Sequence, residues 1–510
     1  LRSPLAALPA PVTSAMFPDV GALALANSEF PLPPPTGTRV QVIAQIARSR
    51  EAVAAVLAER AEAPALHAGS SDVSPPGQDS LPAKVRATCA LLEEGLLERE
   101  TEVRLLVLAA LGGEHLLLLG PPGTAKSELA RRLSKVCQGQ YFERLLTRFS
   151  VPEELFGPLS MQGLEEDRYQ RQTEGYLPTS EVAFVDEIFK ANSAILNALL
   201  TLLNERLFDN GCERLRTPLL CLVGASNELP ESEELDALYD RFMLRKEVQP
   251  VSNSALPELA KLAAGGFTQR EFSVDATPLS LEEFRSCRAA ASEAVQVPDR
   301  VVDLLVALRE HLQEKCEPPI TVSDRRFTKC VTLLQVAAYA NGQSSVTEYD
   351  CLLLQYLLGQ RPGDDDKVRE FVLDNIANDP ALLQAELALL GAFGRACRAL
   401  EEGSGGSDEL LIECAQLLEA LSLQEAKFGH ALDNQFPALR GSPWYSPQQV
   451  SGAVQTLSPQ LRENVKKVSG LVEELVTVQE CLGSRVQPGV LEQLLPKRLK
   501  QYEKGIAQEA

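Results

Sequence analysis

The sequence predicts an α/β fold, a parallel sheet flanked by helices, continued by an all-α lid and a C-terminal helical arm. Three observations carry that reading. Short apolar runs at Leu116–Leu119, 182–187 and 219–224 read as buried strands, and they lead into Gly120, the Asp186-Glu187 pair and Ala225-Ser226-Asn227. Helical spacing fills the chain between them, the alternation that builds a parallel sheet with the ligand outside its carboxyl edge. Beyond residue 363 the periodicity is helical, with no run of alternating strands.

The 510 residues suffice for about three domains. A formal charge of −21 argues against coating nucleic acid or an anionic membrane by bulk electrostatics. Neither a nucleic-acid partner nor membrane insertion is expected, because the best spanning candidate, residues 105–119, carries Gly112, Gly113, Glu114 and His115 at its centre. Eleven cysteines without a CxxC pair read as reduced thiols, and four scattered histidines give no zinc signature. The expectation is an intracellular soluble protein, cytoplasmic or, alternatively, of the plastid stroma.

Residues 1–37, rich in Ala, Pro, Ser and Leu, read as a disordered or transit-peptide-like tail, and 38–82 as a short helix with a Pro/Ser/Gly linker. Helical spacing over 84–111 then leads into Leu116–Leu119 and the segment GPPGTAKSELARRLSKV. Its turn is Gly120, Pro121, Pro122, Gly123, Thr124 and Ala125, and Lys126, Ser127 and Glu128 open the next helix. Backbone N–H groups of such a loop cradle phosphates, Lys126 adds a charge at the β/γ oxygens, and the Ser127 hydroxyl ligates Mg²⁺. These are the Walker A positions of an ATP site, with alanine at 125 where glycine is usual.

About sixty residues on, 182–187 (VAFVDE) fits a Walker B strand: Asp186 for the Mg²⁺ shell and Glu187 for the attacking water. Asn227, at the end of the third strand, is placed to hold that water, with a simple turn-forming Asn as the alternative.

The blocks GLLERETEVRLLVLAALGGEHLLLLGPPGTAKSELARRL, TRFSVPEELFGPLS, EGYLPTSEVAFVDEIFKANSAILNALLTLLNER, GASNELPE and ALYDRFMLR closely resemble the MoxR branch of AAA+ ATPases, and within it the RavA type. The resemblance covers about residues 84–360 and includes Ala125. It implies sensor 1 at Asn227, an arginine finger at Arg241 with Arg245 as runner-up, and sensor 2 at Arg325 with Arg326 as close alternative. Ser323 or Asp324 would cap the helix carrying Arg325. It implies an ATP-hydrolysing, chaperone-like protein that forms a ring, typically a hexamer, and remodels or assembles protein clients, with a von Willebrand A-type partner in some relatives. A magnesium-chelatase-like motor subunit and a nucleotide-switched scaffold are the alternatives.

The resulting division is an α/β nucleotide-binding part at 83–250, a linker and helical lid at 251–362, and a helical hairpin or three-helix domain at 363–510. Residues 156–176 resemble the family's helix-2 insert, and 207–218 reads as a hairpin with Asn210-Gly211 at its tip. Residues 433–459 read as a loop holding Trp444, a packing anchor or, with Tyr445, a partner contact. The β-rich module that carries lysine decarboxylase binding in enterobacterial RavA has no counterpart, so that binding is not expected.

Overall fold

The computed structural model describes residues 39–62, 80–230, 232–264, 272, 278–378, 380–402, 407–434 and 436–509. The readings made on 1–37 and on most of the linker up to 82 lie outside the described residues.

Helix α1 spans Arg39–Glu62. Helix α2 (Leu81–Glu93) starts behind Ser80 with Pro82 in its first turn, where a missing N–H costs nothing. Helix α3 (Glu100–Gly112) is buried along most of its length and stops at Gly113, which takes the left-handed conformation at φ 63°. The sheet strands are β1 (Leu116–Leu119), β2 (Tyr141–Leu145), β3 (Val182–Asp186), β6 (Cys221–Ser226) and β7 (Leu244–Glu247). All pair in parallel, in the order β2-β3-β6-β1-β7. A strand covered on both faces is apolar throughout, which is why LLLL and VAFV occupy the inner positions. Helices α4 (Lys126–Cys137) and α7 (Ser193–Glu205) bury Leu129, Leu133, Ile195 and Leu199 in the core.

Between β2 and β3 lie two short helices, α5 (Glu153–Phe156) and α6 (Met161–Glu165). The hairpin β4 (Leu207–Asn210) and β5 (Glu213–Arg216) turns at Gly211 and Cys212. Asn210 closes β4 and turns its buried side chain to the 156–176 insertion, accepting from Arg171 N–H at 2.7 Å and donating to Arg171 O at 3.2 Å. The hairpin and the insertion are therefore one packed feature.

After α8 (Glu233–Tyr239) and α9 (Leu256–Ala264) comes the helical lid. It comprises α10 (Leu281–Ala294), capped by a Ser280/Glu283 box, α11 (Asp299–Glu310), α12 (Asp324–Ala340) and α13 (Leu354–Leu358). Ser323 is the N-cap of α12, accepting from Arg326 N–H.

The remaining helices are α14 (Asp364–Ala377), α15 (Pro380–Glu402), α16 (Ser407–Asp433), α17 (Pro437–Arg440), α18 (Pro447–Gly483), α19 (Val490–Leu494) and α20 (Pro496–Glu509). The 433–459 loop reading needs correction: α18 starts at Pro447 and runs through Pro459. A proline at the first helical position is favourable, so it marked a helix start rather than a loop.

The chain divides into two compact units. One holds the described residues within Val73–Asp374 and Ala438–Ala453; the other holds the described residues within Leu1–Asp72, Asn375–Pro437 and Val454–Ala510. This differs from a boundary at 363. Trp444 belongs to the first of these units, buried with its indole N–H donated to Ala337 O at 2.9 Å, and the Tyr445 hydroxyl donates to Tyr349 O at 2.7 Å. Both are packing anchors. In the second unit Leu461, Val468, Val472, Leu475 and Leu482, at heptad-like spacing along α18, are buried, so this apolar stripe is used in intramolecular packing. Arg498 of α20 pairs there with Glu386 and Glu474. Among the described residues no helix is long and apolar enough to cross a membrane.

Candidate functional site

The loop at 120–125 links β1 to α4 and is shaped by its backbone. Gly120 has φ 145°, and a Cβ there would lie 2.3 Å from Val248 O, so only glycine fits. Gly123 has φ 79° with open space beside it. Ala125 caps α4 in the left-handed conformation at φ 64°, the reason glycine is usual there. The Thr124 hydroxyl donates to Pro121 O at 3.0 Å.

Lys126 folds back over the loop, donating to Gly120 O at 2.7 Å and Pro121 O at 2.8 Å. Burial lowers its pKa, and the charges of Asp186 and Glu187 oppose that shift, which places all three side chains in one field. Asp186 ends β3, and its carboxylate accepts from Glu187 N–H at 3.0 Å. Glu187 itself is left-handed, at φ 53°. Its carboxylate takes the Asn227 amide at 2.9 Å on one oxygen and Lys190 at 3.2 Å on the other. Ser127 opens α4, and Glu128 beside it is held by Arg131 and Arg132. The structure thus brings the 120–128 segment, Asp186, Glu187 and Asn227 together.

The four arginines separate into two kinds. Arg245 is buried, stacks on Tyr239 at 3.7 Å and donates to Phe242 O, Gly359 O and Tyr239 O. Arg326 is buried and donates to Leu357 O and Met243 O, tying α12 to the strand region. Both guanidiniums are held mainly by backbone carbonyls, Arg326 also pairing with the Asp240 carboxylate at 3.5 Å. Arg241 and Arg325 are half-buried instead. Arg241 donates to Ala237 O at 2.9 Å while its Nε is buried without a partner, and burial and then the Arg325 charge lower its pKa. Two neighbouring half-buried cations are an arrangement that an anion relieves.

Sequence reasoning gave no role to Arg99, Arg132 or the cleft beside the loop. Arg99 donates to Thr124 O, and Arg132 to Leu92 O and Glu94 O. A cleft of about 860 Å³ opens there, with Leu96, Leu97, Pro250, Val251, Leu256 and Leu259 as apolar walls. Arg99 stands in the quoted block GLLERE, but a charged residue just before a helix gives no separate signal of burial.

Oxygens of Ser127 and Asp186 are hard donors that suit Mg²⁺, which keeps only one or two protein ligands and takes the rest from phosphates and water. Among the described residues no cluster of three or more His, Cys, Asp or Glu is placed to hold a metal by itself.

A parallel sheet of this order, a glycine-bearing loop between the interior strand β1 and helix α4, and a helical lid define a P-loop protein of the AAA+ class. Residues 83–288 match the family model described as the MoxR domain in the MoxR-vWA-beta-propeller ternary systems, and 300–372 match an AAA lid domain. The chain is 40% identical over 279 residues to an uncharacterized protein of Methanocaldococcus jannaschii, covering 54% of this chain and 72% of that protein. A second uncharacterized protein of that organism is 42% identical over 268 residues, covering 52% and 67%. Protein MoxR of Paracoccus denitrificans is 29% identical over 168 residues, covering 32% and 49%. The chain belongs to the MoxR family of AAA+ ATPases.

Proposed function

We propose that this chain binds ATP with Mg²⁺ and hydrolyses it between adjacent copies in a ring, typically a hexamer, using the cycle to remodel or assemble protein partners. The observation that carries the reading is the Asn227–Glu187 hydrogen bond beside the phosphate loop, because it aims a base at the carboxyl edge of the sheet. Loop N–H groups and Lys126 bind the phosphates, with Lys126 exchanging its two loop carbonyls for phosphate oxygens. Ser127 and Asp186 would hold Mg²⁺, which supplies charge neutralisation at the phosphates. Glu187 takes the proton of the water that attacks the γ-phosphorus, and Asn227 orients carboxylate and water. Arg241 is the finger that meets the γ-phosphate of the neighbouring copy, and Arg325 is sensor 2. The use of Arg245 and Arg326 as structural clamps supports choosing the other pair.

The description of the matched family model supports a von Willebrand A-type protein and a β-propeller protein as partners. The sequence blocks resemble the RavA branch, but the reading rests on the MoxR module alone. A scaffold switched by nucleotide uses the same site without turnover. Phosphate release measured against protein concentration tests the choice. Specific activity rising with assembly supports the ring ATPase, and ATP binding without turnover in any assembly state favours the scaffold.

A further inference from the structure

We infer that Arg99 positions the phosphate loop for nucleotide, acting through the Thr124 carbonyl; the inference rests on the nucleotide-binding reading above. Arg99 is 5% exposed and stands at the N-terminus of α3, where its own carbonyl accepts from Val103 N–H, so its side chain projects from a rigid base. The guanidinium forks to three backbone carbonyls: Nε to Thr124 O at 3.1 Å, and the two terminal nitrogens to Glu98 O at 2.6 Å and Gln249 O at 2.7 Å. These belong to three different segments, and each borders the cleft. Glu98 extends the clamp, accepting from Ser252 N–H at 2.7 Å, and it holds φ 55° to do so.

The loop needs such a clamp at one place. Ala125 follows Thr124 and is left-handed, a strained conformation for an L side chain that persists only where the surroundings over-determine it. A guanidinium holding Thr124 O fixes the orientation of the Thr124–Ala125 peptide, which leads into α4 at Lys126. Arg132 clamps the facing wall in the same manner through Leu92 O and Glu94 O. Arg99 fixes the shape of the loop, and that shape is what the phosphates recognise.

The test uses the full chain and measures ATP affinity by calorimetry, with melting temperature recorded without nucleotide. Arg99→Met is expected to weaken ATP binding roughly 10- to 100-fold, the effect of losing hydrogen bonds to a charged group. Arg99→Lys keeps the charge but cannot fork to three carbonyls, so a loss of at least about fivefold is expected there too. Ala125→Gly removes the strain, so in the Arg99→Met background it recovers about threefold or more, a larger gain than it gives in the wild type. A lower melting temperature with unchanged affinity assigns Arg99 to stability alone and overturns the role, as does wild-type affinity in Arg99→Lys or no recovery from Ala125→Gly. If Arg99→Met does not fold, Arg99→Lys with and without Ala125→Gly decides. A wild type that binds no ATP overturns the nucleotide reading itself; a wild type that binds while Arg99→Met binds equally well overturns only the positioning role.

Discussion

The Asn227 amide donates to the Glu187 carboxylate at 2.9 Å, joining the residue that follows β6 to the one that follows β3. Lys190 occupies the other oxygen, and Glu187 keeps φ 53° so that its side chain faces both. Left-handed backbone at a non-glycine residue is retained where the neighbours hold it, and such strain gathers at functional sites.

Replacing Glu187 by Gln is therefore expected to leave ATP binding in place and lower turnover about 10²- to 10⁴-fold, the usual contribution of a positioned base. Asn227→Ala removes the orienting bond and should cost roughly 10- to 100-fold. Phosphate release under saturating ATP checks both, and wild-type turnover in Glu187→Gln contradicts the role.

Arg241 and Arg245, four residues apart, should respond in opposite ways. Arg245→Ala strands the carbonyls of Phe242, Gly359 and Tyr239, so a stability loss of about 2–4 kcal/mol is expected. Arg241→Ala gives up one bond to Ala237 O and should lose less than about 1 kcal/mol while abolishing assembly-dependent turnover. Denaturant unfolding beside phosphate release separates the two.

Much of the fold was legible because the inner strands are buried on both faces. LLLL, VAFV and LLCLVG are apolar runs for that reason. The edge strands were not legible: β2 reads YFERL and β7 reads LRKE, since an edge strand meets polar surroundings on one side. Likewise the residues proposed to bind and hydrolyse ATP stand out in the sequence because each such role needs a fixed residue type. Arg99 was not, because its work is done on backbone carbonyls, which leave no mark in the sequence. The choice between Arg241 and Arg245, or Arg325 and Arg326, needed burial, and adjacent arginines in DRFMLR or SDRRF do not reveal it. Trp444 left an anchor and a partner contact both open until its burial favoured the anchor, while Pro447 hid a helix start.

Thiol chemistry follows from burial. All eleven cysteines are free, and Cys212 at the hairpin turn is exposed while the other ten are buried. Burial pushes Cys89 and Cys330 up to about 12 and Cys414 to about 11, so they hold little thiolate at neutral pH. A colorimetric thiol assay should find one fast equivalent in the native protein, lost in Cys212→Ser, and eleven in denaturant.

Two buried groups pull stability in opposite directions as pH falls. Asp350 accepts from the Thr347 N–H and hydroxyl at 2.8 and 2.7 Å, and burial pushes its carboxyl from 3.8 to about 6. Between those values the folded chain holds a proton the unfolded chain has released, so Asp350 contributes stability at low pH that is lost as pH rises through about 6. His115 behaves oppositely. Burial, with Arg206 beside it, holds its pKa well below 6.5, so the unfolded chain is protonated first and stability falls as pH drops. Asp350→Asn removes only the first effect. Its stability should fall more steeply than the wild type's between pH 6 and 5, by up to about 1.4 kcal/mol per pH unit, as read by denaturant unfolding. Parallel curves contradict the assignment.

The ring mechanism makes its strongest claim in mixtures of two inactive variants. A chain with Arg241→Ala keeps its own Glu187, and a chain with Glu187→Gln keeps the arginine that its neighbour needs. Phosphate release from an equimolar mixture, compared with each variant alone at equal total protein, tests a trans-acting site directly. The account predicts that activity reappears in the mixture, at about a quarter of the wild-type level if subunits assort randomly and each interface acts alone. A mixture as inactive as its two components would contradict it.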